Sequence, residues 1–414
     1  MPVVNPAERG RSNRMAILVQ KYGGTSLASE EARRRVLGHI ERERAHSYAL
    51  VVVVSAMGRM GDPYATDTLL SLGGSAQSLP PREKDLLAVC GEIISANVLC
   101  GLLRSEGVPS IVMTGGQAGI RTDAGFGQAR IMRIDPDPVM RQLEQGKVVI
   151  VTGFQGQSDQ GDFTTLGRGG SDTSATAIGA ALRAERIDIY TDVDGILTAD
   201  PRLVEDAKPL DTVSYAEITN LARQGAKVIH PRAVEIAAQS NIPLRVRSTF
   251  SDGEGTLVTA DPVSESQVRD RLATGIAHVP KVTQISVTAD GHKDMQLNVF
   301  QSMAKHGISV DFINVTPGGA LYTVFDEDAD RALEVLGKLG YTPAAVRGCA
   351  KVSVVGSGMH GVPGVMARIV EALTEEGITI LQSADSHATI WVLVRQEQMT
   401  AAVRALHNKF ELHL

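Results

Sequence analysis

Short runs of β-branched residues alternate with longer helical patterns over the first 250 residues of the chain. The run at residues 49–58 begins with apolar residues on both faces, which is typical of a central strand in a covered sheet. At residues 30–46 the apolar positions Val36, Leu37 and Ile40 recur at helical spacing, with charged residues around them. This alternation predicts a mostly parallel sheet with helices on both faces, which binds ligands at the carboxyl ends of its strands.

The same pattern predicts further elements in this part of the chain. The other predicted strands lie at residues 16–24, 109–115, 147–154, 187–195 and 242–248. The other predicted helices lie at residues 82–105, 171–183 and 232–239. The stretches rich in glycine or charge that are considered next all lie close to the ends of these elements, where ligands of such sheets bind.

The C-terminal third of the chain contains an internal repeat. Residues 251–266 are predicted to form a linker or an edge hairpin, and two segments of similar sequence follow with an offset of 70 residues. Gly291 thus corresponds to Gly361, and Gly307 to Gly377. Each copy reads strand, loop, helix, strand, strand, helix, which predicts two βαββαβ units. The predicted domains are an extension at 1–14, an α/β domain at 15–262, and repeat domains at 267–348 and 349–414.

Composition and charge exclude several classes of protein. Of the 414 residues, 43% are hydrophobic and 21% are charged, which favours a folded core over disorder. The net charge of −6 and the 4% of aromatic residues provide neither a basic field nor a stacking surface for nucleic acid. No apolar run approaches the roughly 20 residues that span a bilayer, so we predict no membrane partner.

The cysteines and the N-terminal residues predict a cytoplasmic protein. Cys90, Cys100 and Cys349 show no CxxC spacing, which suits a reducing compartment and argues against a zinc site. The first 14 residues are polar and rich in arginine, and they lack the apolar core of a secretory signal. We interpret them as an extension rather than a targeting segment, and we assign no residue of the chain as a metal ligand.

A glycine turn follows the first predicted strand, in the sequence KYGGTS at residues 21–26. Gly23 and Gly24 allow backbone N–H groups to approach an anion closely, and the helix that follows can direct its positive end at that anion. Lys21 supplies a mobile positive charge. The alternative is an ordinary strand-to-helix turn with a surface lysine.

A second glycine-rich stretch, LGRGGSDTSA at residues 166–175, places Arg168 among three glycines. An arginine on so permissive a loop can donate two hydrogen bonds to a carboxylate or a phosphate. Ser171 or Asp172 can cap the helix that begins there. The alternative is a capped turn with a solvated arginine.

Two further polar stretches could contact a nucleotide. The sequence TDVDGILTADPR at residues 191–202 follows a buried strand, and GAKVIHP at residues 225–231 precedes a predicted helix. Lys227 could reach a phosphate, whereas His230 is better suited to a hydrogen bond with the backbone than to chemistry. The aspartates of the first stretch could instead serve only as turn formers. These aspartates are Asp192, Asp194 and Asp200.

Glu92 lies on the apolar side of the helix predicted at residues 82–105. A carboxylate in such a place needs a cationic partner, because burying an unpaired charge is costly. The two candidates for this partner are the ammonium group of a substrate and a lysine or arginine of the chain itself.

Two common nucleotide-binding motifs are excluded. The sequence contains no GxxxxGK[ST], so no Walker-type phosphate site is predicted. The stretch GSGMHG at residues 356–361 matches GxGxxG, but only 53 residues follow it, which is too few for a dinucleotide-binding domain. The first copy of the repeat, moreover, has no equivalent glycine pattern.

Together these stretches resemble the aspartate kinases of the amino-acid-kinase family, from about residue 16 to the C-terminus. The resemblance implies a three-layer amino-acid-kinase fold with a mostly parallel central sheet. The repeat resembles paired ACT domains, which are ferredoxin-like modules that sense amino acids, and residues 378–412 resemble the bacterial type regulated by lysine or diaminopimelate. The matching sequences are QKYGGTS, VVVVSAMG, TTLGRGGSDTSA, TDVDGILTADPR and GAKVIHPRAVE.

The resemblance implies phosphoryl transfer from ATP to the side-chain carboxylate of aspartate, giving 4-phospho-L-aspartate. This reaction is the first step towards lysine and diaminopimelate, threonine and methionine, and it relies on positioning and charge neutralisation. The implied catalytic residues are Lys21, Arg168 and Asp172. The implied aspartate contacts are Thr66, Glu92, Arg168 and Ser171. The implied ATP contacts are Lys21, Tyr22, Gly23, Gly24, Thr191, Asp192, Arg202 and Lys227.

Two details of the implied nucleotide site are left open. Magnesium is expected with ATP, but the resemblance assigns no protein ligands to it. Leu197 stands where many relatives have tyrosine, so an aromatic contact to the nucleotide is absent or supplied elsewhere.

The resemblance also implies an amino-acid effector, which would be lysine, diaminopimelate or threonine. The second copy has MHGVPG at residues 359–364, whereas the first has DGHKDM at 290–295, without the Pro-Gly pair, so we expect two unequal sites. The chain is expected to form a homo-oligomer, as a dimer through the ACT domains. The alternative is that the repeat serves only as a dimer interface. The implied effector contacts are Asp290, Met295, Met359 and Val362.

Two other functions fit part of the pattern. A sister kinase could act on glutamate, N-acetylglutamate or UMP, but those relatives lack the C-terminal ACT pair. A catalytically silent amino-acid sensor is the second alternative, and the presence of Lys21, Arg168 and Asp172 argues against it.

Overall fold

The computed structural model describes most of the chain, and the described residues form two compact units. The extension predicted at residues 1–14 lies outside the described residues, as does the predicted domain boundary near residue 262, which stays a prediction. The described residues are 15–74, 79–226, 228–260, 272–289, 294–359 and 361–414. The first unit comprises residues 15–196, 209–219 and 228–260, and the second comprises 197–208, 220–226 and 272–414, with the gaps just given.

Twelve strands and nine helices begin in the described part of the first unit. The strands are β1 (Ile17–Tyr22), β2 (Ala49–Val54), β3 (Ser110–Met113), β4 (Ile120–Thr122), β5 (Ile131–Ile134), β6 (Val148–Thr152), β7 (Gln155–Gln157), β8 (Phe163–Thr165), β9 (Arg186–Thr191), β10 (Thr212–Ser214), β11 (Leu244–Ser248) and β12 (Thr256–Thr259). The helices are α1 (Gly24–Leu27), α2 (Glu30–Ala45), α3 (Thr66–Ser71), α4 (Pro81–Ala88), α5 (Cys90–Ser105), α6 (Asp137–Leu143), α7 (Gly170–Leu182), α8 (Tyr215–Arg223) and α9 (Pro231–Ser240).

An eight-stranded sheet forms the centre of the first unit, in the order β10-β12-β11-β9-β1-β2-β6-β3. Its neighbouring strands run parallel, except that β11 and β12 are antiparallel. The predicted mostly parallel sheet is therefore confirmed. The hairpin predicted after residue 251 also exists, but β12 is not an edge strand, because β10 pairs with its outer side. A separate four-stranded sheet has the order β5-β4-β7-β8.

The central strands are buried because helices cover the sheet. Every residue of β1 is buried, and β2 is buried from its second residue onwards. The predicted apolar face of α2 packs into this core, with Val36 and Ile40 fully buried against Leu18 of β1. Truncating a buried leucine or isoleucine to alanine costs about 2–5 kcal/mol, so we expect each of these contacts to stabilise the unit substantially.

The helix predicted at residues 82–105 is two helices, α4 and α5, which meet at Val89. Among the described residues, the combined segment Pro81–Ser105 is the one helix long and apolar enough to cross a membrane by length and composition. The core helix of a water-soluble domain passes the same test. Ala96, Leu99 and Leu103 of α5 are fully buried in the core of the first unit, as expected for such a helix.

The second unit contains one six-stranded antiparallel sheet, in the order β14-β15-β13-β16-β18-β17. Its strands are β13 (Gly275–Thr288), β14 (Asp311–Thr316), β15 (Gly319–Phe325), β16 (Ala344–Val355), β17 (Gln382–Ser386) and β18 (Thr389–Arg395). Its helices are α10 (Met295–Lys305), α11 (Asp326–Lys338), α12 (Val365–Glu375) and α13 (Met399–Lys409). The GxGxxG match lies between β16 and α12 of this antiparallel sheet and not in a parallel dinucleotide-binding fold.

The predicted repeat of strand, helix, strand, strand and helix is confirmed, but no separate sixth strand closes either copy in the described residues, because β16 directly follows α11 and no strand follows α13. The first copy runs β13, α10, β14, β15, α11, and the second runs β16, α12, β17, β18, α13. Gly307 and Gly377 end the corresponding helices α10 and α12 with φ values of 66° and 67°, a conformation that favours glycine. Because β13 pairs with both β15 and β16, the two copies share one continuous sheet.

Candidate active site

Lys21 and Asp172 form a buried ion pair at the carboxyl end of β1. Lys21 is the penultimate residue of this central strand, and Asp172 lies in the first turn of α7. The Lys21 Nζ is 2.7 Å from the Asp172 Oδ1, and both side chains are 11% exposed. Lys21 is therefore not the surface lysine of an ordinary turn. The fold brings together two predicted catalytic residues that are far apart in the sequence.

Glycine is required at position 24, where the turn after β1 contacts the loop after β2. A Cβ at Gly24 would lie 2.5 Å from the Gly58 carbonyl oxygen and 2.7 Å from that of Ala56, so no side chain fits there. The Gly58 N–H donates a hydrogen bond to the Gly24 carbonyl at 3.0 Å. A Cβ at Gly23 would lie 3.7 Å from the Lys21 Nζ, so this part of the backbone passes close to the lysine charge.

Arg168 is exposed on the loop between β8 and α7, between Gly167 and Gly169, whose φ values are 76° and 67°. Within the described residues its guanidinium forms no ion pair or hydrogen bond, so it is available to an anion. A Cβ at Gly169 would lie 2.2 Å from the Cγ of His230, which explains why glycine stands there.

The predicted capping of α7 by Ser171 or Asp172 is wrong. Gly169 is the N-cap residue of α7, and no side chain caps the helix. The Asp172 carboxylate is engaged elsewhere, because one oxygen pairs with Lys21 and the other accepts a hydrogen bond from the His230 N–H at 3.3 Å. The Asp172 side chain is thus committed to the lysine rather than to the start of its own helix.

Glu92 is buried in the first turn of α5 without a cationic partner among the described residues. Burial raises the pKa of Glu92 to about 8, although hydrogen bonds from the backbone and from the Thr66 side chain lower it. The Ala56 N–H donates to the Glu92 Oε1 at 3.1 Å. The internal lysine or arginine considered from the sequence is therefore not seen in the described chain. Thr66, at the start of α3 and a predicted aspartate contact, lies beside this carboxyl group.

Ser55 is a site residue that the sequence analysis did not assign. It follows β2 directly, and its Oγ donates a hydrogen bond to the Ser171 Oγ at 2.9 Å. Ser171, a predicted aspartate contact, directly precedes Asp172 in the chain, and this hydrogen bond fixes its hydroxyl group. The available signal was the position of Ser55 in VVVVSAMG, at the carboxyl end of a strand that is apolar on both faces.

The predicted nucleotide contacts of the first unit lie at the ends of β1 and β9. The Thr191 Oγ1 accepts a hydrogen bond from the Val193 N–H at 3.1 Å, which shapes the turn after β9. Asp192 is exposed and pairs with Arg59, a second residue that the sequence analysis did not assign. The ring of Tyr22 is fully buried and stacks on Tyr190 at 4.5 Å, so only its backbone can face a nucleotide.

The last two predicted ATP contacts are Arg202 and Lys227. Arg202 belongs to the second unit and forms two hydrogen bonds with Asp200, of 3.0 and 2.7 Å. Asp200 also accepts the Arg202 N–H, so it is a turn former, and the arginine lowers the pKa of its carboxyl group. Asp194 instead accepts a hydrogen bond from Ser251. Lys227 lies outside the described residues.

His230 contributes through its backbone rather than its ring. Its N–H donates to Asp172, while its Nδ1 is buried and has no hydrogen-bond partner among the described residues. No hydrogen bond to the backbone is therefore seen at this nitrogen within the described residues. The ring instead packs against Gly169, on the loop that carries Arg168.

A cavity of about 440 Å³ in the second unit lies at the loop before α12 and along β17. Met359 and Val362, two predicted effector contacts, line it, together with the exposed carboxylate of Asp385. In the first copy, Met295 is buried as the first residue of α10, and Asp290 lies outside the described residues.

Family comparisons agree with this architecture. The Amino acid kinase family matches residues 16–248, and the ACT domain family matches residues 344–408. Aspartokinase 1 of Bacillus subtilis is 54% identical over 402 residues, which cover 96% of this chain and all of that protein.

Two crystal structures of Escherichia coli aspartokinase III resemble the chain over most of its length. The complex with aspartate and ADP has a TM-score of 0.77 at 27% identity, covering 95% of this chain and 99% of that one. The complex with lysine and aspartate has a TM-score of 0.74 at 26% identity, with the same coverage. With its Lys21–Asp172 pair at the strand ends and its C-terminal ACT domains, the chain belongs to the amino acid kinase family, and within it to the aspartokinases, which phosphorylate aspartate.

Proposed function

We propose that ATP, with Mg²⁺, is the phosphoryl donor and that the transfer takes place beside Lys21 at the carboxyl end of β1. The observation that carries this proposal is the buried Lys21–Asp172 pair next to the Gly23–Gly24 backbone. The ADP bound to the Escherichia coli enzyme supports the choice of nucleotide. Phosphoryl transfer needs positive charge at the equatorial oxygens, and a lysine held by a carboxylate is fixed in place to supply it.

In this proposal Lys21 neutralises the charge that spreads over the transferring group. Asp172 is a positioning residue, because its carboxylate holds the Lys21 Nζ at 2.7 Å and does not itself need to touch substrate. A carboxylate oxygen of aspartate attacks the γ-phosphorus, the bond to the β-γ bridging oxygen breaks, and ADP leaves. The backbone N–H groups of Gly23 and Gly24 can approach the phosphates because no side chain intervenes.

Aspartate is bound in this proposal by groups of both signs. Arg168 donates to the α-carboxylate of aspartate, Glu92 accepts from its ammonium group, and Thr66 and Ser171 complete the contacts. The support is that Arg168 has no partner in the described chain and that Glu92 is a buried carboxyl group without a cation. An amino-acid substrate supplies a carboxylate for Arg168 and an ammonium group for Glu92.

The nucleotide contacts follow from the ends of β1 and β9. Thr191, Asp192 and the backbone of Tyr22 are proposed to contact ATP because they lie at these strand ends, and Arg202 and Lys227 are proposed from the motif alone. Mg²⁺ would enter with the phosphates, because it retains several waters and needs few protein ligands. We assign none of its ligands to this chain.

An assay of hydroxamate formation tests the reaction. With ATP, Mg²⁺ and hydroxylamine, the chain should form aspartyl hydroxamate in proportion to enzyme. Glutamate, N-acetylglutamate and UMP serve as alternative acceptors. The reaction with UMP is measured by the release of ADP. A faster reaction with any of these acceptors, or none with aspartate, contradicts the proposal.

The second unit is proposed to bind an amino-acid effector in the cavity at Met359 and Val362. Asp385 can pair with the ammonium group of an amino acid, and the backbone of the loop can donate to its carboxylate. The lysine in the Escherichia coli complex makes lysine the first choice, with diaminopimelate and threonine next. Such a ligand shifts the kinase only by its different affinities for two states.

Calorimetry on the full chain with these three amino acids tests the effector site. Val362→Glu should abolish binding, because Val362 lines the cavity and is 41% exposed. Val370→Glu is the matched control, since Val370 is 42% exposed but does not line this cavity. Equal binding by both variants excludes this cavity, and no heat with the unaltered chain favours the repeat as an interface alone.

The chain is further proposed to act as a cytoplasmic homodimer joined through its ACT domains. The edge strand β14 exposes Ile313 and Val315, which are 48% and 44% exposed. All three cysteines are free thiols, as expected in a reducing compartment. Light scattering on the full chain, compared with Ile313→Lys, tests the dimer. The proposed domains are those at residues 15–262, 267–348 and 349–414, after the extension at 1–14.

A further inference from the structure

Asp206, His407 and His413 converge in the second unit, away from the site described above. One ligand atom from each of these side chains lies within 4.8 Å of the other two. His407 belongs to α13 and is fully buried, His413 follows the same helix, and Asp206 lies on the segment 197–208. Among the described residues this is the one group of three such side chains that could hold a metal ion.

The environment of His407 directs one nitrogen of its ring into this group. Its Nε2 lies 2.9 Å from the Oγ1 of Thr198, a buried hydroxyl that also accepts the Lys208 N–H at 3.0 Å. This oxygen has a second lone pair and can accept the Nε2–H, which leaves a lone pair on Nδ1. The His407 Nδ1 is 4.0 Å from the Asp206 Oδ1 and makes no hydrogen bond within the described residues.

His413 presents a second such nitrogen. Its Nδ1 is also buried and without a hydrogen-bond partner in the described chain. The centroid of its ring is 6.3 Å from that of His407. With both histidines protonated on Nε2, two imidazole lone pairs and one carboxylate lie close to one another. In these tautomers the arrangement is repulsive unless a cation lies among the three groups, because all of them carry negative partial charge there.

We propose that Asp206, His407 and His413 bind a divalent transition-metal ion, with Zn²⁺ as the best fit. Neutral imidazole and carboxylate are ligands that Zn²⁺ accepts, and the hydrogen bond at the far nitrogen of His407 is the usual support of a metal-bound histidine. Ligand atoms around a tetrahedral zinc are about 3.4 Å apart, since each bond is about 2.1 Å. The exposed Asp206 side chain can rotate to close the remaining distance.

The bound ion would join the segment 197–208 to α13. Thr198, which supports His407, also accepts the Ile276 N–H through its carbonyl, so the site connects three stretches of the second unit. A ligand that binds only the folded protein stabilises it by mass action, so the ion should raise the temperature of unfolding. Three protein ligands leave one coordination position for water, which is expected to make the ion exchangeable with chelators.

Zinc titration of the full chain, stripped of metal with a chelator, tests the site. A chromophoric chelator as competitor gives stoichiometry and affinity, and thermal unfolding gives a second readout that does not depend on activity. We expect one zinc per chain. Asp206→Asn and His413→Gln should each weaken binding beyond the roughly tenfold to hundredfold loss that follows changes in supporting residues alone. Glu205→Gln and His306→Gln, an adjacent acid and an exposed histidine of the same unit, should change nothing.

The two readouts separate loss of the site from loss of the fold. If the metal-free variants unfold at the temperature of the metal-free parent chain, weaker zinc binding reflects the missing ligand. Substitution with Co²⁺ should give visible absorption with nitrogen ligands in the parent chain and not in His413→Gln. The proposal is overturned if the parent chain binds no zinc, or if Asp206→Asn and His413→Gln bind it as tightly as the two controls.

Discussion

Charged side chains are paired in one part of the candidate active site and unpaired in another. At the end of β1, Lys21 is paired with Asp172 at 2.7 Å, and the two charges balance within the protein. At the other part, Glu92 is buried with no cation beside it, and Arg168 is exposed with no anion beside it in the described chain. The fold satisfies the first pair and leaves the other two groups without partners.

This difference assigns different tasks to groups that look alike in the sequence. A paired lysine is already positioned before the substrate arrives, so it can act on charge that develops in the transition state. An unpaired carboxyl or guanidinium group gains its partner only when substrate binds, so it acts mainly on affinity and selectivity. The predictions that follow test this division, because changes at Lys21 should lower kcat and changes at Arg168 and Glu92 should raise the KM for aspartate.

Removing the Lys21 charge should have the largest effect. Lys21→Met keeps most of the aliphatic volume but removes the ammonium group, so kcat should fall on the order of a hundredfold or more. The KM for aspartate should change little, because the charge acts on the transferring phosphoryl group. Steady-state kinetics with ATP and aspartate measure both. If kcat fell by less than about tenfold, Lys21 would have no part in the mechanism.

The Asp172 carboxylate provides a control for stability. Lys21→Met leaves Asp172 buried and unpaired, which should cost about 3 kcal/mol in the free energy of unfolding. Lys21→Met combined with Asp172→Asn removes both charges, so stability should recover while kcat stays low. If kcat recovered with stability, the loss in Lys21→Met would have come from misfolding and not from chemistry.

Arg168→Lys should have the next largest effect. Lysine keeps the charge but cannot form the two parallel hydrogen bonds of a guanidinium group with a carboxylate. The KM for aspartate should rise about tenfold to a hundredfold, while that for ATP should barely change. Arg133→Lys, at an exposed position on β5, is the control that should behave as the parent chain. An equal weakening of ATP binding would place Arg168 in the nucleotide site instead.

The pKa of Glu92 predicts how aspartate binding depends on pH. Binding of an ammonium group needs the ionised carboxylate, and one pH unit below a pKa of about 8 only about a tenth of these groups are ionised. The KM for aspartate should therefore fall about tenfold between pH 7 and pH 9. Glu92→Gln should have a raised KM without this pH dependence. A parent-like pH profile in Glu92→Gln would show that another group titrates.

The same shift predicts the stability of the protein without substrate. The native state holds the proton of Glu92 more tightly than the unfolded state, whose pKa is near 4.5. This contribution to stability is complete below pH 4.5 and is lost as the pH rises to about 8. Urea unfolding at several pH values should show this decline in the parent chain and a smaller decline in Glu92→Gln, which cannot ionise.

The sequence predicts groups that depend on strand ends better than groups that depend on distant contacts. Lys21 and Thr191 stand at the ends of strands whose apolar runs are unmistakable, and parallel strands bring their carboxyl ends to one edge. Arg168 instead follows β8, a short strand of the other sheet that the sequence did not predict. The prediction that Asp172 caps its helix was wrong, because its carboxylate pairs with Lys21, which is distant in the sequence. Val89 likewise interrupts a helix that periodicity alone predicts as continuous.

The proposed zinc site shows the same limit more clearly. Its aspartate lies about half the chain away from its histidines, and the spacing of His407 and His413, with five residues between them, is not accompanied by a CxxC pair. Because metal binding was judged from cysteine spacing, no metal ligand was predicted. Only the packing of the segment 197–208 on α13 brings these side chains together.

The smallest expected effect concerns Ser55, which connects the two parts of the site. Its hydroxyl donates to Ser171, so it positions a proposed aspartate contact next to Asp172 without carrying charge itself. One neutral hydrogen bond contributes about 1 kcal/mol, so Ser55→Ala should raise the KM for aspartate about fivefold and leave kcat nearly unchanged. Ser95→Ala is the control, because the Oγ of Ser95 has no hydrogen-bond partner in the described chain, although Ser95 is buried and Ser55 is only half-buried. Kinetics of both variants under the same conditions measure the difference. Equal KM values in the two variants would mean that Ser171 keeps its position without Ser55. A loss mainly in kcat would mean that Ser55 supports Lys21 rather than the binding of aspartate.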